Sequence, residues 1–464
     1  MQRNIGVQRT GWNQLIKDQG LVYSDTEKPD GTNISYWREG PFYSFSGFEI
    51  EFLETASKLI FDMLIEAGDY IVSNPEIMRK MAIPEWAWEQ ITKSWNQEPE
   101  FGSVYGRYDI RFGGEASNEE SLRMPKLYEF NADTPTCLVE SAYIQWKWFR
   151  QTGQGNDQWN NMYEMLVDAW KRNMSLIEDS LGHKPVVHFA CSSAEESQED
   201  VMNTLMLLNA CQAAGYETRS IFIENIILGD NGRFYDEQDD HIDVVFKLHP
   251  WEFIVKEEFG RACFADMKNV GKHDADGNYI GGTIWIEPPY KMLWSNKGIL
   301  AVLWMLFGND PEKSLCLIPA WFDGEQPKDL KDYVKKPLLS REGANIITVR
   351  NGHVFDEVPG DYGDEGYIVQ AYAPPARFPT AEGDAFPVLG VWMIDGEPAG
   401  LGIRESVNTH VTDNLSFFVP HSIEDGSNLH PELEPIPVTV SSPSSDPTSL
   451  PEYAAFNSSY GRTH

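Results

Sequence analysis

Two short polar stretches carry residue types that could hold a metal ion and a phosphate group. Arg107 and Asp109 are alternate residues in RYDIRF, and Glu129 and Asn131 are alternate residues in LYEFNAD. Because alternate residues of a strand point to the same face, each pair shares a face, and the side chains could converge. Oxygen ligands of this kind suit magnesium, and a neighbouring arginine can offset charge on a transferring phosphoryl group. The alternative is a salt bridge on a solvated sheet.

Two lysines offer a second candidate contact for phosphate. Lys297 lies in WSNKGIL and Lys336 lies in YVKKPLLSREGANI. In an apolar strand a lysine can hold phosphate as a point charge, while small residues in the adjoining loop let backbone N–H groups approach it. Neither stretch is a Walker A sequence, which needs GxxxxGK[ST] at the start of a helix. Taken alone, each lysine is more often an ordinary surface residue.

The sequence shows no nucleophile triad. It contains neither a GxSxG elbow nor a local cysteine-protease signature. His188 and His249 lie in strand-like runs, where a satisfied core histidine is a commoner role than a catalytic one. The residues alone therefore indicate a metal and phosphate site on a scaffold of helices and strands, and they do not identify a substrate.

The elements that must position these residues change along the chain. Apolar residues recur at helical spacing in SGFEIEFLETASKLIFDMLIEAGDYIV, and RYDIRF and PKLYEFNAD predict two strands joined by a polar loop. The stretches PVVHFAC, VMNTLMLLNACQAAG, ETRSIFIEN and DVVFKL predict a small Rossmann-like layer of strands and a helix. YVKKPLLSREGANIITVRNG predicts a β-hairpin, and GYIVQAYAP and FPVLGVWMIDGEPAGLGIRES predict an antiparallel sheet.

Composition and charge narrow the class of protein. The 464 residues are 41% hydrophobic and 12% aromatic, which is enough for a sizeable core. With 71 acidic against 37 basic side chains, the formal charge of -34 would repel a nucleic-acid backbone. The same field could attract a cationic small molecule such as a polyamine, although solubility is the commoner reason for acidity.

The sequence also carries expectations about location. The five cysteines are scattered without metal spacing, the N-terminus has no apolar signal region, and no stretch is long and apolar enough for a membrane span. We therefore expect a cytoplasmic protein with reduced thiols. Beyond His421 the chain is rich in Ser, Pro, Glu and Asp, which predicts a disordered or loosely attached tail.

Several of these stretches occur together in one known family. YGRYD, LYEFNADTPTCLVESAYIQWKW, FKLHPWEF, IEPPYKMLWSNKGILAVLW, YVKKPLLSREGANI, GYIVQ and GEPAGLGIRES resemble the glutathionylspermidine synthase family, in family order, from about Arg9 to His421. The resemblance implies an α+β, ATP-grasp fold with an inserted Rossmann-like pre-ATP-grasp module. The amidase domain with a catalytic cysteine that precedes the synthetase in bifunctional members is not expected, so the resemblance implies a stand-alone ligase.

The resemblance implies roles in metal and nucleotide binding. Asp109, Glu129 and Asn131 would be the magnesium ligands, and Arg107 would stabilise the transferring phosphoryl group. The implied ATP contacts are Lys297 and Lys336 for the phosphates, Glu342 and Gly343 in the covering loop, and Gln370 near the adenine.

The resemblance also implies substrate contacts. Thr134 would help to hold a peptide substrate, and Arg404 would face its carboxylate or the developing charge. The amine contacts implied by position are Glu195 or Glu196, and Asp413. Two departures bear on the substrate: Leu248 replaces a threonine expected to contact glutathione, and the loop in LLSREGANI is poorer in glycine than in bifunctional members.

These observations predict four segments and one principal function. Residues 1–164 form the N-terminal body with the metal-ligand strands, 165–265 the Rossmann-like substrate module, 266–421 the nucleotide-binding part and 422–464 the tail. The predicted function is an ATP-dependent carboxylate–amine ligase that uses an acyl-phosphate, with small-molecule substrates, ATP and Mg²⁺. The alternatives are an ATP-binding scaffold without turnover and a ligase acting on a protein terminus.

Overall fold

The computed structural model describes most of the chain. It covers residues 1–27, 31–97, 103–194, 198–341, 343–407 and 416–425. The predicted site residues Glu195, Glu196, Glu342 and Asp413 lie outside these ranges, and so does most of the predicted tail. Within these ranges, no helix combines the length and the apolar character that are needed to cross a membrane.

The strands form several separate sheets. In chain order they are β1 Gln2–Ile5, β2 Asp25–Glu27, β3 Asn33–Ser35, β4 Pro41–Phe45, β5 Tyr105–Arg111, β6 Lys126–Asn131, β7 Val187–Cys191, β8 Thr218–Phe222, β9 Ile227–Leu228, β10 Phe234–Tyr235, β11 Val244–Leu248, β12 Ile284–Ile286, β13 Ala320–Phe322, β14 Tyr333–Pro337, β15 Ile347–Arg350, β16 His353–Glu357, β17 Tyr367–Ala371, β18 Phe378–Thr380, β19 Gly383–Ile394, β20 Glu397–Val407, β21 Phe417–Phe418 and β22 His421–Ile423.

The helices pack around these sheets. They are α1 Trp12–Asp18, α2 Gly47–Val72, α3 Pro75–Lys80, α4 Trp88–Gln97, α5 Gln145–Thr152, α6 Met162–Leu181, α7 Glu199–Ala213, α8 Trp251–Ile254, α9 Gly260–Asp266, α10 Lys291–Trp294 and α11 Gly298–Phe307. The helix predicted from SGFEIEFLETASKLIF is α2, which Ser46 and Glu49 begin with a reciprocal capping box. The apolar helix α11 packs against α2 and β13.

A six-stranded sheet holds the first polar constellation. Its order is β21-β20-β19-β5-β6, with β18 paired to β19, and its contacts with β5 are antiparallel. Arg107 lies opposite Asn131, and Asp109 lies opposite Glu129. Every residue of β5 is buried, so Arg107 and Asp109 lie inside the protein, whereas Glu129 and Asn131 of β6 are half-buried.

A four-stranded parallel sheet forms the Rossmann-like layer. Its order is β12-β11-β7-β8, and β7 and β11 are buried throughout, as expected for strands covered on both faces. Trp170 of α6 packs against Phe189 and Phe246, with ring centroids 5.2 and 6.2 Å apart. The layer extends beyond the predicted range 165–265, because its edge strand β12 comes from 284–286.

A five-stranded antiparallel sheet and a smaller sheet complete the arrangement. The larger sheet has the order β13-β17-β14-β15-β16 and contains the predicted hairpin. The smaller sheet is β1-β4-β22, in which β22 runs parallel to β4. The prediction that the tail begins at 422 is therefore wrong at its boundary, because Ser422 and Ile423 are paired with Ser44 and Phe45.

Candidate active site

The first wall of the site is built on β5 and β6. Arg107 Nε donates to Asp109 Oδ1 at 2.9 Å, and Arg107 Nη1 donates to the carbonyl of Thr136 at 2.6 Å. Asn131 Nδ2 donates to Glu129 Oε1 at 3.3 Å. The salt bridge considered from the sequence is present, but both of its side chains are buried. Burial lowers the pKa of Arg107 and Asp109 raises it, with a net upward shift, so the guanidinium stays charged.

Two glycines on the neighbouring strands make room for this wall. Gly390 lies opposite Asp109 and Gly402 lies opposite Gly390. A Cβ at Gly390 would lie 3.0 Å from Arg107 Cδ, and one at Gly402 would lie 2.2 Å from Ser141 Oγ. Glycine within a strand often marks such a close approach, so the two glycines in VLGVW and GLGIRES were the available sequence signal, which our sequence reasoning did not use.

The second wall brings the two predicted lysines close to the end of β6. Lys297 Nζ lies 3.2 Å from Glu129 Oε2 and donates to the carbonyl of Ser340 at 2.9 Å. Lys336 Nζ donates to the carbonyl of Tyr128 at 3.3 Å. Both lysines are buried, so neither is an ordinary surface residue. Strand β14 therefore places Lys336, and the turn before α11 places Lys297, beside the end of β6 that carries Glu129.

Glu129, Lys297 and Lys336 are close enough for their charges to shift pKa values within the site. Burial opposes the ionisation of Glu129, but Lys297 and Lys336 outweigh it and lower the pKa of Glu129 to about 2. Burial lowers the pKa of Lys336 to about 8, although Glu129 acts in the opposite direction. Glu129 is consequently ionised at neutral pH, whereas part of the Lys336 population can lose its charge in mildly alkaline solution.

The remaining predicted nucleotide contacts lie on or beside the five-stranded sheet. Gln370 is buried and lies opposite Val334 of β14. Val334 and Lys336 are alternate residues of this strand, so the side chains of Gln370 and Lys336 lie on the same face of the sheet. Gln370 Nε2 has no hydrogen-bond partner among the described residues. Gly343 lies in the loop between β14 and β15 with φ 74, a conformation that favours glycine.

A cleft of about 690 Å³ joins these walls and is large enough for a small-molecule ligand. Arg404 Nη2 lies 4.0 Å from Asp109 Oδ2, and Arg341 Nη1 donates to Thr134 Oγ1 at 3.1 Å. Leu248 also lines the cleft. The predicted site residues among its lining are Arg107, Glu129, Asn131, Thr134, Lys297 and Arg404.

Sequence reasoning missed an acidic and aromatic end of this cleft. Tyr23, Asp25 and Tyr36 line it from the N-terminal segment. Glu199 and Asp200, in the first turn of α7, line it from the Rossmann-like layer. Adjacent carboxylates at a helix start in SQEDV were a visible signal, but two acidic residues at that position are commonly explained by the helix dipole alone.

The model of the glutathionylspermidine synthase preATP-grasp family matches residues 3–424. The chain belongs to this family. The predicted resemblance is thereby confirmed, and it extends through nearly all of the described fold. Membership also confirms the predicted class of enzyme, a carbon–nitrogen bond-forming acid–amine ligase.

Three relatives illustrate the range of the family. The chain is 32% identical over 425 residues to a protein of Haemophilus influenzae named as an acid–amine ligase, covering 88% of this chain and 95% of that protein. It is 25% identical to the trypanothione synthetase of Crithidia fasciculata, covering 74% of this chain and 51% of that one. It is 24% identical to the bifunctional glutathionylspermidine synthetase/amidase of Escherichia coli, covering 66% and 48%. The chain spans about half of the length of these last two relatives.

Proposed function

We propose that this protein is an ATP-dependent ligase that joins a carboxylate to an amine through an acyl-phosphate. The observation that carries the proposal is the approach of two buried lysines to the oxygen-rich ends of β5 and β6, where Lys297 pairs with Glu129 and Lys336 binds the carbonyl of the preceding residue. Such a set is suited to triphosphate binding because it combines fixed positive charge with oxygen ligands for a divalent cation. Family membership supports the same chemistry.

The nucleotide site belongs between the five-stranded and six-stranded sheets, as in an ATP-grasp fold. Lys336 makes a single hydrogen bond among the described residues, to the carbonyl of Tyr128, and would gain an anionic partner from a phosphate group. Gln370 on the same face carries a buried amide without a described partner and would gain one from an adenine edge. Glu342 and Gly343 stay a prediction for the loop that covers the nucleotide.

The donor set fits magnesium. Asp109, Glu129 and Asn131 offer two carboxylates and an amide, the oxygen ligands that this ion prefers, and Glu129 is ionised at neutral pH. Bound there, magnesium would neutralise phosphate charge and orient the phosphate oxygens. Arg107 holds Asp109 in place through its Nε hydrogen bond. The same guanidinium can offset charge on the phosphoryl group as it passes to a carboxylate oxygen.

The substrates would enter the rest of the cleft. Arg404 and Arg341 supply positive charge for a carboxylate, with Thr134 beside Arg341. Asp25, Glu199 and Asp200 line the acidic end, which would attract a cationic amine. Phosphorylation of the carboxylate releases ADP, and attack of the amine nitrogen on the acyl carbon then releases phosphate. Glu195, Glu196 and Asp413 stay predictions for the amine contacts.

The experiment is a screen of carboxylate and amine pairs with ATP and Mg²⁺, read out as ADP release and product mass. We expect ADP release that needs both substrates and a product whose mass is the sum of the two less one water. Glu129→Gln should be inactive, and Glu397→Gln, which alters an exposed pair with Lys58, is the matched control. ADP release without amine dependence would contradict the ligase, and binding of ATP without turnover would favour the scaffold alternative.

The same screen also tests the alternative of a ligase acting on a protein terminus. In that case the mass of a protein, either this chain or an added one, would increase during the reaction. A small-molecule product without such an increase would exclude this alternative.

A further inference from the structure

A buried glutamate lies directly behind the acidic end of the cleft. Glu140 begins the π-helical turn Glu140–Ile144, and its side chain is fully buried. Cys137, three residues earlier, lines the cleft and has a φ of 71, an uncommon conformation for a residue other than glycine. The bend at Cys137 therefore directs the chain from the end of β6 back toward the cleft wall.

The surroundings of Glu140 leave one of its oxygens without a described donor. Tyr23 Oη donates to Glu140 Oε2 at 3.0 Å, and the hydroxyl of Tyr36 lies 3.3 Å from Cys137 Sγ. A carboxylate oxygen of Glu199, one of Glu140 and Cys137 Sγ lie within 4.8 Å of one another. Among the described residues, Glu140 Oε1 has no hydrogen-bond partner. A buried carboxylate oxygen in this state is costly while Glu140 is charged, and protonation of the carboxyl group removes that cost.

Two carboxylates this close cannot both be charged at low cost, because like charges and burial each favour the protonated form. Burial and the neighbouring Glu199 raise the pKa of Glu140 to about 7, although the hydroxyls of Tyr36 and Tyr23 act in the opposite direction. Burial raises the pKa of the neighbouring Cys137 thiol to about 11, so the thiol adds no negative charge beside the pair.

We propose that Glu140 and Glu199 form a carboxyl pair that accepts the proton of the incoming ammonium group. Glu199 lies at the cleft wall, and Glu140 acts behind it as a positioning residue. The inference rests on the proposed ligase function and names the chemistry of its second substrate, a cationic amine. Arg107 binds the carbonyl of Thr136, next to Cys137, and Cys137 Sγ lies within 4.8 Å of a carboxylate oxygen of each glutamate of the pair.

The proton balance of the step follows from the substrates. The ammonium group gives one proton to the carboxyl pair and becomes a neutral amine with a free electron pair. Its nitrogen forms a bond to the acyl carbon, and the bond between that carbon and the phosphate oxygen breaks. The second nitrogen proton leaves with the phosphate as HPO₄²⁻. No oxidant or further reactant is needed.

The test compares nucleophiles that do and do not need a proton acceptor. Glutathione is the carboxylate probe, spermidine is the cationic amine, and hydroxylamine is a nucleophile that is neutral at neutral pH. Glu140→Gln and Glu199→Gln should each lower kcat/KM for spermidine by at least about a hundredfold, the lower end of the usual range of general-base effects. Hydroxamate formation should stay within about threefold of wild type, and Glu140→Asp should recover part of the loss.

Glu405→Gln is the matched control. Glu405 is also a buried glutamate bonded to a tyrosine, Tyr43, at 2.6 Å, but it does not line the cleft. Its replacement should leave the ratio of the two nucleophiles unchanged even if it lowers stability. An equal loss for both nucleophiles in Glu140→Gln would show a purely structural role and overturn the inference.

The remaining outcomes separate the two proposals. Hydroxamate formation by the wild type without any spermidine product would overturn the amine site and leave carboxylate activation intact. Unchanged spermidine turnover in Glu140→Gln would also overturn it. If the wild type forms neither product, with glutathione or with the other carboxylates of the screen, the proposed ligase function itself fails and the inference falls with it.

Discussion

Four buried lysines, of which Lys297 lines the cleft, are paired in contrasting ways. Lys291 Nζ lies 3.2 Å from Glu287 and donates to the carbonyls of Tyr105 and Ala132 at 2.9 and 2.8 Å. Two carbonyls and a nearby carboxylate thereby surround its ammonium group. Lys247 binds Asp133 at 2.7 Å, and its ammonium lies 4.5 Å from the ring centroid of Trp251. These two lysines tie neighbouring elements together.

Lys336 is less completely paired than Lys291. Lys297 binds one carbonyl and lies beside Glu129, whereas Lys336 binds one carbonyl at a longer 3.3 Å. Glu129 counterbalances both. A buried ammonium with N–H donors to spare is costly until a ligand supplies acceptors. Burial alone therefore does not mark a functional lysine, and the position of its ammonium group relative to Glu129 and the cleft must be considered as well.

The largest effect on activity should follow replacement of Glu129 or of Asp109, the residue opposite it on β5. Asp109→Asn or Glu129→Gln should abolish ligation while the fold stays intact, because each isosteric change removes a charged oxygen ligand for magnesium. The measurement is substrate-dependent ADP release beside a thermal unfolding curve. Near-normal turnover in either variant would remove that residue from the site and break the comparison at its central carboxylate.

The next effect concerns stability, which should depend more on Lys291 than on Lys336. Lys291→Met would leave Glu287 buried without its cation, so the free energy of unfolding should fall by about 3 to 5 kcal/mol. Lys336→Met should lower it much less, because Lys336 has fewer contacts to lose. Denaturant titration of both variants checks the difference, and equal losses would mean that the pairing of the two lysines does not distinguish their roles.

The sequence predicted the parts of the site that depend on local periodicity. Arg107 with Asp109, and Glu129 with Asn131, share a face because side chains alternate along a strand, and β5 and β6 are neighbours in the chain. Helix α2 followed from its apolar spacing. Lys297 and Lys336 were singled out individually, but their meeting at Glu129 depends on tertiary packing that no local pattern encodes.

Other parts were beyond local patterns. Tyr23 reaches Glu140 across 117 residues of chain, and Asp25 lines the cleft from the same N-terminal segment. The strand β12 has only three residues, which is too short for its sequence pattern to predict that it joins the parallel sheet. Ser422 begins a segment whose composition is typical of a loop, yet it pairs with β4 on the edge that β1 does not occupy. In each case pairing with a distant element overrides local preference.

A smaller effect, confined to catalysis, is expected at Arg107. Arg107→Ala should lower kcat on the order of a hundredfold with little loss of ATP affinity, because the guanidinium acts mainly on charge that develops during transfer. Arg107→Lys should recover activity only in part, since lysine lacks the planar, bidentate geometry. ATP titration, turnover and unfolding of the three proteins distinguish the roles. Joint loss of binding and stability would favour a structural salt bridge with Asp109.

The smallest effect is expected for Lys297 and Lys336 themselves, and it tests most directly whether their pairing marks a ligand site. If Lys297 and Lys336 await phosphate oxygens, replacing either by Met should weaken ATP binding by about 1 to 3 kcal/mol, the usual worth of a charge-assisted contact. Lys297→Met has a second consequence, because it removes a cation that helps to lower the pKa of Glu129. Removing this competing cation should leave Glu129 free for Mg²⁺, so Mg²⁺-dependent binding should not weaken on this account, and the same holds for Lys336→Met, because Lys336 also lowers this pKa.

Calorimetric titration with ATP, with and without Mg²⁺, separates these two contributions. Lys335→Met is the matched control, because Lys335 is the next residue on β14 but pairs with the half-exposed Asp323 at 2.7 Å. Its side chain points to the opposite face of the strand from Lys336, so its loss should leave ATP affinity unchanged. Unchanged affinity in both Lys297→Met and Lys336→Met would contradict the nucleotide site, since the spare N–H donors of the two buried ammonium groups would then have no ligand to explain them.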